Sequence, residues 1–277
     1  VKPGEWFVVK IGGELASDRQ KLARTVGRAV HAFLAAGVKV AVVHGGGPQA
    51  TELSKRLGIQ TKQVGGRRVT DEATLEVMKM TLAGQVSVDI ASAFKVAKVP
   101  AFCTSGVSAG LVEAMKRPPM VVTGGGPDPV DFGLVGDVTG VNVALLEKLA
   151  AAGVVPVMGS LAADAEGNVF NINADTVATR VAAKLLAARL FLVSNVPGVL
   201  RNKEDPTTRI PRLTPAEAKT QISTGVIVGG MIPKVEESLA MLEEGIAAIH
   251  IVGLDPDTAI LDEANSPGSR GTVFVRG

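Results

Sequence analysis

Apolar residues along this chain follow two rhythms. Short unbroken runs, such as Phe7-Val8-Val9 and Val40-Ala41-Val42-Val43, alternate with longer stretches in which apolar positions recur every three or four residues. The runs predict strands buried on both faces, and the longer stretches predict amphipathic helices. Their alternation predicts an α/β fold, a three-layer α/β/α sandwich around a mostly parallel central sheet. The first strand begins near Glu5 and ends at Lys10. A helix follows from about Asp18 to Ala36, with Leu22, Val26, Ala29, Val30, Phe33 and Leu34 on one face and Gly37 as its stop. A strand over Val38 to His44 leads into three glycines, and Pro48 opens a helix through about Leu57.

From about Ile59 to Val69 the pattern predicts a hairpin bent at Gly65-Gly66, after which Thr70-Asp71 caps a helix through about Ala83. The stretch from Pro119 to Val141 is rich in glycine and proline. Its run Thr123-Gly124-Gly125-Gly126 reads as a turn in a β-excursion rather than a third phosphate loop, because a strand-like segment follows it and not a helix. Further strands are predicted at Val154 to Met158, Val169 to Asn173, Arg189 to Ser194 and Ala247 to Val252. Helices are predicted from Asp175 to about Ala188, from Pro215 to Ile222 and from Met231 to Glu244. Two lobes are expected, residues 1–174 and 175–277, with a soft boundary if one sheet runs through both.

Composition narrows the function. A chain of 277 residues with 46% hydrophobic content can bury a large core. Tyrosine is absent and aromatics amount to 3%, too few for a base-stacking platform, and a net charge of +2 gives no broad footprint for nucleic acid or acidic membranes. No apolar stretch reaches the roughly twenty residues of a membrane span, and the N-terminus lacks the pattern of a signal peptide. The single cysteine, Cys103, cannot form an internal disulfide; a reducing cytoplasm is the expected setting and a buried structural thiol the expected role.

The candidate chemistry lies in the turns. Gly12-Gly13 and Gly45-Gly46-Gly47 each follow a buried strand, and glycine lets bare backbone N–H groups approach an anion. An unpaired Lys10 ammonium at the end of such a strand would cost several kcal/mol, so it requires an anionic partner. Lys234 falls in the first turn of a helix, where the macrodipole disfavours a cation unless an anion binds there too. Phosphoryl transfer needs cations, N–H donors and a carboxylate to hold the cations, and Lys10, Lys234 and Asp175 meet those needs. Plainer readings exist: a solvated surface lysine for Lys234, an N-terminal helix acid for Asp175, a solvated strand-end arginine for Arg68. Gly45-x-Gly47-x-x-Ala50 also fits a dinucleotide fingerprint, but the following segment supplies basic Lys62, Arg67 and Arg68 instead of an acid, and Gly12-Gly13 would be left unexplained.

Five motifs in order and at matching spacing resemble the amino-acid kinase family across nearly the whole chain. They are Val9-Lys10-Ile11-Gly12-Gly13, Val43-His44-Gly45-Gly46-Gly47-Pro48-Gln49, Gly66-Arg67-Arg68-Val69-Thr70-Asp71, Asn171-Ile172-Asn173-Ala174-Asp175-Thr176 and Gly229-Gly230-Met231-Ile232-Pro233-Lys234. The resemblance implies the fold of that family and transfer of a phosphoryl group from MgATP to the side-chain carboxylate of N-acetyl-L-glutamate, giving an acyl phosphate and ADP in arginine biosynthesis. It implies that Lys10 and Lys234 stabilise charge on the migrating group and on ADP, with Asp175 holding both. Backbone N–H groups at Gly12, Gly13, Gly45 and Gly46 would bind phosphate oxygens and the attacking carboxylate. Arg68 would pair with the substrate's α-carboxylate through its planar fork, and Asn171 and Asn173 would help fix the same molecule. Ser194, Asn195, Gly198, Val199, Leu200, Gly230 and Met231 would build the nucleotide site, with magnesium carried by the nucleotide and no metal held by the protein. The first lobe would take the acyl substrate and the dimer contact, the second ATP.

The chain departs from the family pattern at two places. Asn195 stands in Ser194-Asn195-Val196-Pro197-Gly198-Val199-Leu200 where many relatives have an aspartate, keeping the size and losing the charge. Thr104-Ser105-Gly106-Val107-Ser108-Ala109-Gly110 lacks the aspartate of a common Asp-Gly pair. The Ser-Asn-Val-Pro-Gly form also resembles a related kinase for carrier-protein-bound aminoadipate in lysine biosynthesis, which stays open as an alternative. So does a non-catalytic nucleotide- or amino-acid-binding regulatory module. Arginine-inhibited relatives carry an N-terminal helix, and this chain begins close to its first strand. A homodimer insensitive to arginine is therefore expected, although Gly268-Ser269-Arg270-Gly271-Thr272 resembles an effector-binding segment.

Overall fold

A computed structural model of the chain describes every residue except Thr123, Gly124, Lys203, Gly229, Gly230 and Gly277, and does not describe the side chains of Pro233 and Lys234. The buried runs form an eight-stranded sheet in the order Arg212–Leu213, Gly271–Val275, Ala248–Val252, Arg189–Val193, Trp6–Ile11, Lys39–His44, Val155–Gly159, Ala101–Ser105. Neighbours in it are parallel except Ala248–Val252 with Gly271–Val275, so the sheet is mostly parallel as expected. The earlier and later parts of the chain meet inside it, where Trp6–Ile11 pairs with Arg189–Val193.

Strand alternation sends Phe7, Val9 and Ile11 to one face and Trp6 and Val8 to the other. The first face is covered by residues 19–35, which run as Arg19–Leu22, a π-helical Ala23–Gly27 and Arg28–Ala35, and by the helix Ser87–Val96. Rings of Phe7, Phe33 and Phe191 pack there with centroids 5.1 to 5.9 Å apart. The helices Val143–Ala151, Ala174–Lys184 and Met231–Glu243 cover the second face, which completes the three layers.

The helix expected to stop near Ala83 instead continues to residue 96, as Glu72–Lys79, a π-helical Met80–Val86 and Ser87–Val96. Leu82, Val86, Ile90 and Phe94 are fully buried along it, and that burial outweighs the roughly 1 kcal/mol cost of Gly84 inside a helix. Asp71 alone caps it, its carboxylate accepting from Thr74 N at 2.8 Å. Thr70 has another role: its buried hydroxyl accepts from Asn171 Nδ2 at 3.1 Å. Asn173 ends the extended segment two residues past the strand Val169–Asn171 and caps the helix Ala174–Lys184, which closes at Leu185 rather than near Ala188.

Beside the main sheet lies a four-stranded one in the order Val169–Asn171, Leu161–Ala163, Val112–Lys116, Gly136–Val141. The hairpin Lys62–Val64 and Arg67–Val69 turns at Gly65 and Gly66, with φ of 55° and 75°, as its glycines predicted. In the glycine-rich run, Thr123 and Gly124 lie outside the described residues. Met120 and Val130 around it pair in an antiparallel bridge, in keeping with a β-excursion. No helix among the described residues is long and apolar enough to cross a membrane.

Gly133 ties the excursion to Thr70. Its φ is +72°, and a Cβ would lie 2.4 Å from Thr70 O, a carbonyl already accepting from Leu134 N at 2.7 Å. The carbonyl cannot move without losing that bond. Gly133→Ala should therefore lower stability by about 2–3 kcal/mol, seen as a reduced urea midpoint with an unchanged slope.

Candidate active site

Strand register brings the two glycine turns together. Ile11 sits opposite His44, so Gly12-Gly13 and Gly45-Gly46-Gly47 leave the sheet side by side at its C-terminal edge. A Cβ on Gly13 would lie 2.9 Å from Gly46 Cα, and one on Gly46 would lie 2.8 Å from Leu82 Cδ2. A side chain at Gly13 would push the two turns apart, and one at Gly46 would press into the helix beneath it. Gln49 clamps them, its Nε2 donating to Gly13 O at 2.5 Å and to Ser17 Oγ at 2.9 Å. The helices Gly47–Arg56 and Ala174–Lys184 begin beside these turns, so two helix N-termini add positive potential to the wall that the glycine turns line.

Alternation puts Lys10 on the face of Trp6 and Val8, the face that Ala174–Lys184 covers. Its Nζ meets Asp175, in the first turn of that helix, at 3.0 Å from Oδ1 and 3.3 Å from Oδ2. Asn173 Oδ1 accepts from Asp175 N at 2.9 Å and so fixes the helix start that carries the carboxylate. The side chains of Lys10 and Asp175 remain 17% and 28% exposed, enough for a ligand to reach them. Lys234 is in the first turn of Met231–Glu243; its side chain and Gly230 lie outside the described residues.

Two cavities share this centre. One of about 580 Å³ is lined by Lys10, Gly12, Gly13, Gly45, Gly46, Arg68, Asn171 and Asn173. The other, about 710 Å³, is lined by Lys10, Gly12, Gly13, Ser194 and Asn195. Lys10, Gly12 and Gly13 are common to both, which places the ammonium and the first glycine turn between two ligand-sized volumes.

In the first cavity Arg68 Nη2 donates to Thr51 Oγ1 at 2.7 Å and to Gly47 O at 3.3 Å. Its Nη1 is buried with no hydrogen-bond partner among the described residues. Burial holds the Arg68 guanidinium below its ordinary pKa, and a carboxylate would satisfy both the charge and the empty donor. Asn171, also on the cavity wall, is held there by its Nδ2 donating to Thr70 Oγ1 at 3.1 Å. In the second cavity Asn195 Nδ2 lies 3.5 Å from Glu14 Oε2.

Not every predicted residue reaches these walls. Gly198, Val199 and Leu200 line neither cavity; Val199 and Leu200 are buried in the core, and Val199 N donates to Thr272 Oγ1 at 2.8 Å. They shape the loop that follows Asn195. Met231 is half-buried against the core on the second face. Conversely, Gln63, Arg117, Asp137 and Glu237 line the first cavity without having been singled out. Glu237 follows Lys234 by one helical turn, a spacing that could have marked it. Nothing local marked Arg117 and Asp137, which only strand pairing brings together.

Fold and site define an α/β phosphoryl-handling enzyme with two ligand volumes meeting at one lysine. A match to the model of the amino acid kinase family covers residues 5–253. The chain belongs to the amino-acid kinase family. It is 50% identical to the acetylglutamate kinase of Sorangium cellulosum (strain So ce56), over 97% of this chain and 94% of that one. It is 47% identical to the acetylglutamate kinase of Anaeromyxobacter sp. (strain Fw109-5), over 97% and 98%. The fold is shared with N-acetylglutamate synthase from Neisseria gonorrhoeae complexed with coenzyme A and N-acetylglutamate, at a TM-score of 0.80 and 23% identity, covering 99% of this chain and 60% of that one.

His44, just before the triple glycine, is fully buried with Nε2 3.2 Å from Ser87 Oγ, and burial pushes its pKa down to about 4. The unfolded chain takes up this proton near pH 6.5, whereas the folded chain resists until about pH 4. Protonation therefore favours unfolding across that window, and up to about 3 kcal/mol present at pH 7 is lost as pH falls from 6.5 to 4. Chemical denaturation between pH 7 and 4.5 should show this decline, and His44→Asn should make it shallower.

Proposed function

We propose that this chain phosphorylates the side-chain carboxylate of N-acetyl-L-glutamate with ATP, giving N-acetylglutamyl 5-phosphate and ADP in arginine biosynthesis. The reading is carried by Lys10, held by Asp175 on the wall common to two cavities. It is supported by the names of relatives that match nearly the full chain. A carboxylate oxygen of the substrate attacks the γ-phosphorus as the bond to the β-phosphate oxygen breaks. Because a carboxylate is already ionised near neutral pH, no general base is needed, and the site needs cations and N–H donors more than a proton acceptor.

Lys10 and Lys234 neutralise charge on the migrating group and the leaving ADP, and Asp175 holds Lys10 in line. Gly12, Gly13 and Gly46 offer backbone N–H groups to the phosphate oxygens and the attacking carboxylate, while Gly45, whose own N–H donates to Ile11 O at 3.2 Å, borders the acyl cavity. Arg68 binds the α-carboxylate, with Asn171 and Asn173 beside it. Ser194 and Asn195 border the nucleotide volume, Gly198, Val199 and Leu200 fold the loop behind them, and Gly230 and Met231 lead into the helix that carries Lys234. Magnesium would arrive with the nucleotide and supply charge neutralisation at its phosphates. Residues 1–174 thus serve mainly the acyl substrate and residues 175–277 the nucleotide. The lone Cys103 fits a reducing cytoplasm.

The chain pairs with a second copy of itself in this reading. Ala101–Ser105 is the outermost strand on its side of the sheet, and Phe102 on it is 49% exposed. Val88 and Val96 on the neighbouring helix, 64% and 67% exposed, extend the uncovered apolar surface. Light scattering should give the mass of two chains; a hexamer mass would contradict a plain dimer.

ADP release should be measured with N-acetyl-L-glutamate, L-glutamate and carrier-linked aminoadipate side by side. Turnover is expected with the first. Activity only with the carrier-linked acceptor would select the lysine-pathway kinase, and none with any would select a binding module. Lys10→Met should lower kcat by about 10²–10³-fold while changing substrate affinity much less.

A further inference from the structure

Arg117 and Asp137 line the first cavity, and none of the roles above uses them. Arg117 follows the strand Val112–Lys116, with its backbone N donating to Val135 O at 2.8 Å, and Asp137 lies on the paired strand Gly136–Val141. Arg117 Nε and Nη2 both donate to one oxygen, Asp137 Oδ1, at 2.9 and 2.6 Å. The arginine side chain is only 15% exposed and its partner 44%. This differs from an ordinary surface ion pair, which contributes little and leaves both side chains in solvent. Here a carboxylate fixes the plane of a guanidinium set into a substrate cavity.

The Nη1 group of Arg117 makes no hydrogen bond among the described residues, so its N–H donors are uncommitted. Met120, Phe132 and Val135 form apolar parts of the same wall. A guanidinium in such a wall complements a small group that offers one carbonyl oxygen and a methyl, as an N-acetyl group does. It is a poor match for a free ammonium, which would meet like charge from both Arg117 and Arg68 and have a costly desolvation left uncompensated.

We infer that Arg117 recognises the acyl carbonyl of the substrate through Nη1, with Asp137 as the positioning residue that orients the guanidinium. Together they make the site favour an acylated over a free amino group. The inference rests on the acetylglutamate reading given above. Discrimination by a partly buried charged donor of this kind is worth about 10- to 100-fold in affinity.

The test is steady-state kinetics of the intact enzyme with N-acetyl-L-glutamate and L-glutamate as acceptors, for the wild type, Arg117→Ala, Arg117→Lys and Asp137→Asn. Arg117→Ala should raise the KM for N-acetyl-L-glutamate by about 10- to 100-fold with kcat changed by less than about threefold, and should shrink the preference over L-glutamate. Arg117→Lys and Asp137→Asn, which preserve charge or shape and guard against a folding failure, should shrink it by smaller factors. Equal losses with both acceptors, or an undiminished preference in all three variants, would overturn the inference while wild-type turnover of N-acetyl-L-glutamate left the broader reading intact. A wild type inactive on N-acetyl-L-glutamate would overturn both.

Discussion

An ammonium at the end of a buried strand must be paired, and in this fold the pairing of Lys10 with Asp175 joins sequence positions that lie far apart. The lysine comes from the strand Trp6–Ile11 and the carboxylate from the first turn of the helix packed on its face, at 3.0 Å. Neither residue could be shifted by one position without losing the other, because strand alternation would turn Lys10 to the opposite face and helix rotation would carry Asp175 away. The ion pair therefore specifies how the helix Ala174–Lys184 sits on the sheet. It also leaves one well-aimed positive charge at the sheet edge, where the glycine turns present their N–H groups.

The glycine turns depend on the same sheet register. A methyl on Gly13 would collide with the backbone of Gly46 and one on Gly46 with the core side chain of Leu82, and Gln49 clamps the arrangement from the following helix. What results is a surface built mostly from backbone, with side chains at its margins. Such a surface is pre-aligned: its dipoles need no rearrangement as charge moves from one phosphate oxygen to another. That suits a reaction whose nucleophile is already an anion, since the main barrier is bringing two negative groups together.

Several elements differ from their sequence reading for reasons of packing. Gly84 would end a solitary helix, but four buried apolar side chains carry the helix through it to Val96. Thr70 has the chemistry of a cap, yet the adjacent Asp71 takes that role and frees the threonine hydroxyl to receive Asn171. The segment Gly198 to Leu200 carries a motif associated with nucleotide binding, but it turns inward, where Thr272 takes the Val199 N–H. In each case a local preference met a tertiary partner that offered more.

By itself the sequence determined the layered α/β architecture, the positions of the two glycine turns, and the requirement that Lys10 find an acid. These follow from periodicity, glycine's lack of a side chain, and the cost of a buried charge, all of which act over a few residues. The family motifs extended this to Arg68 and Asn171, which do lie on one cavity wall. The tertiary structure decided which strands neighbour one another, and hence that two cavities meet at Lys10 and that Arg117 faces Asp137. Those contacts depend on strand pairing between distant segments, and no local pattern in a single chain encodes the distance between side chains that only the folded sheet brings together.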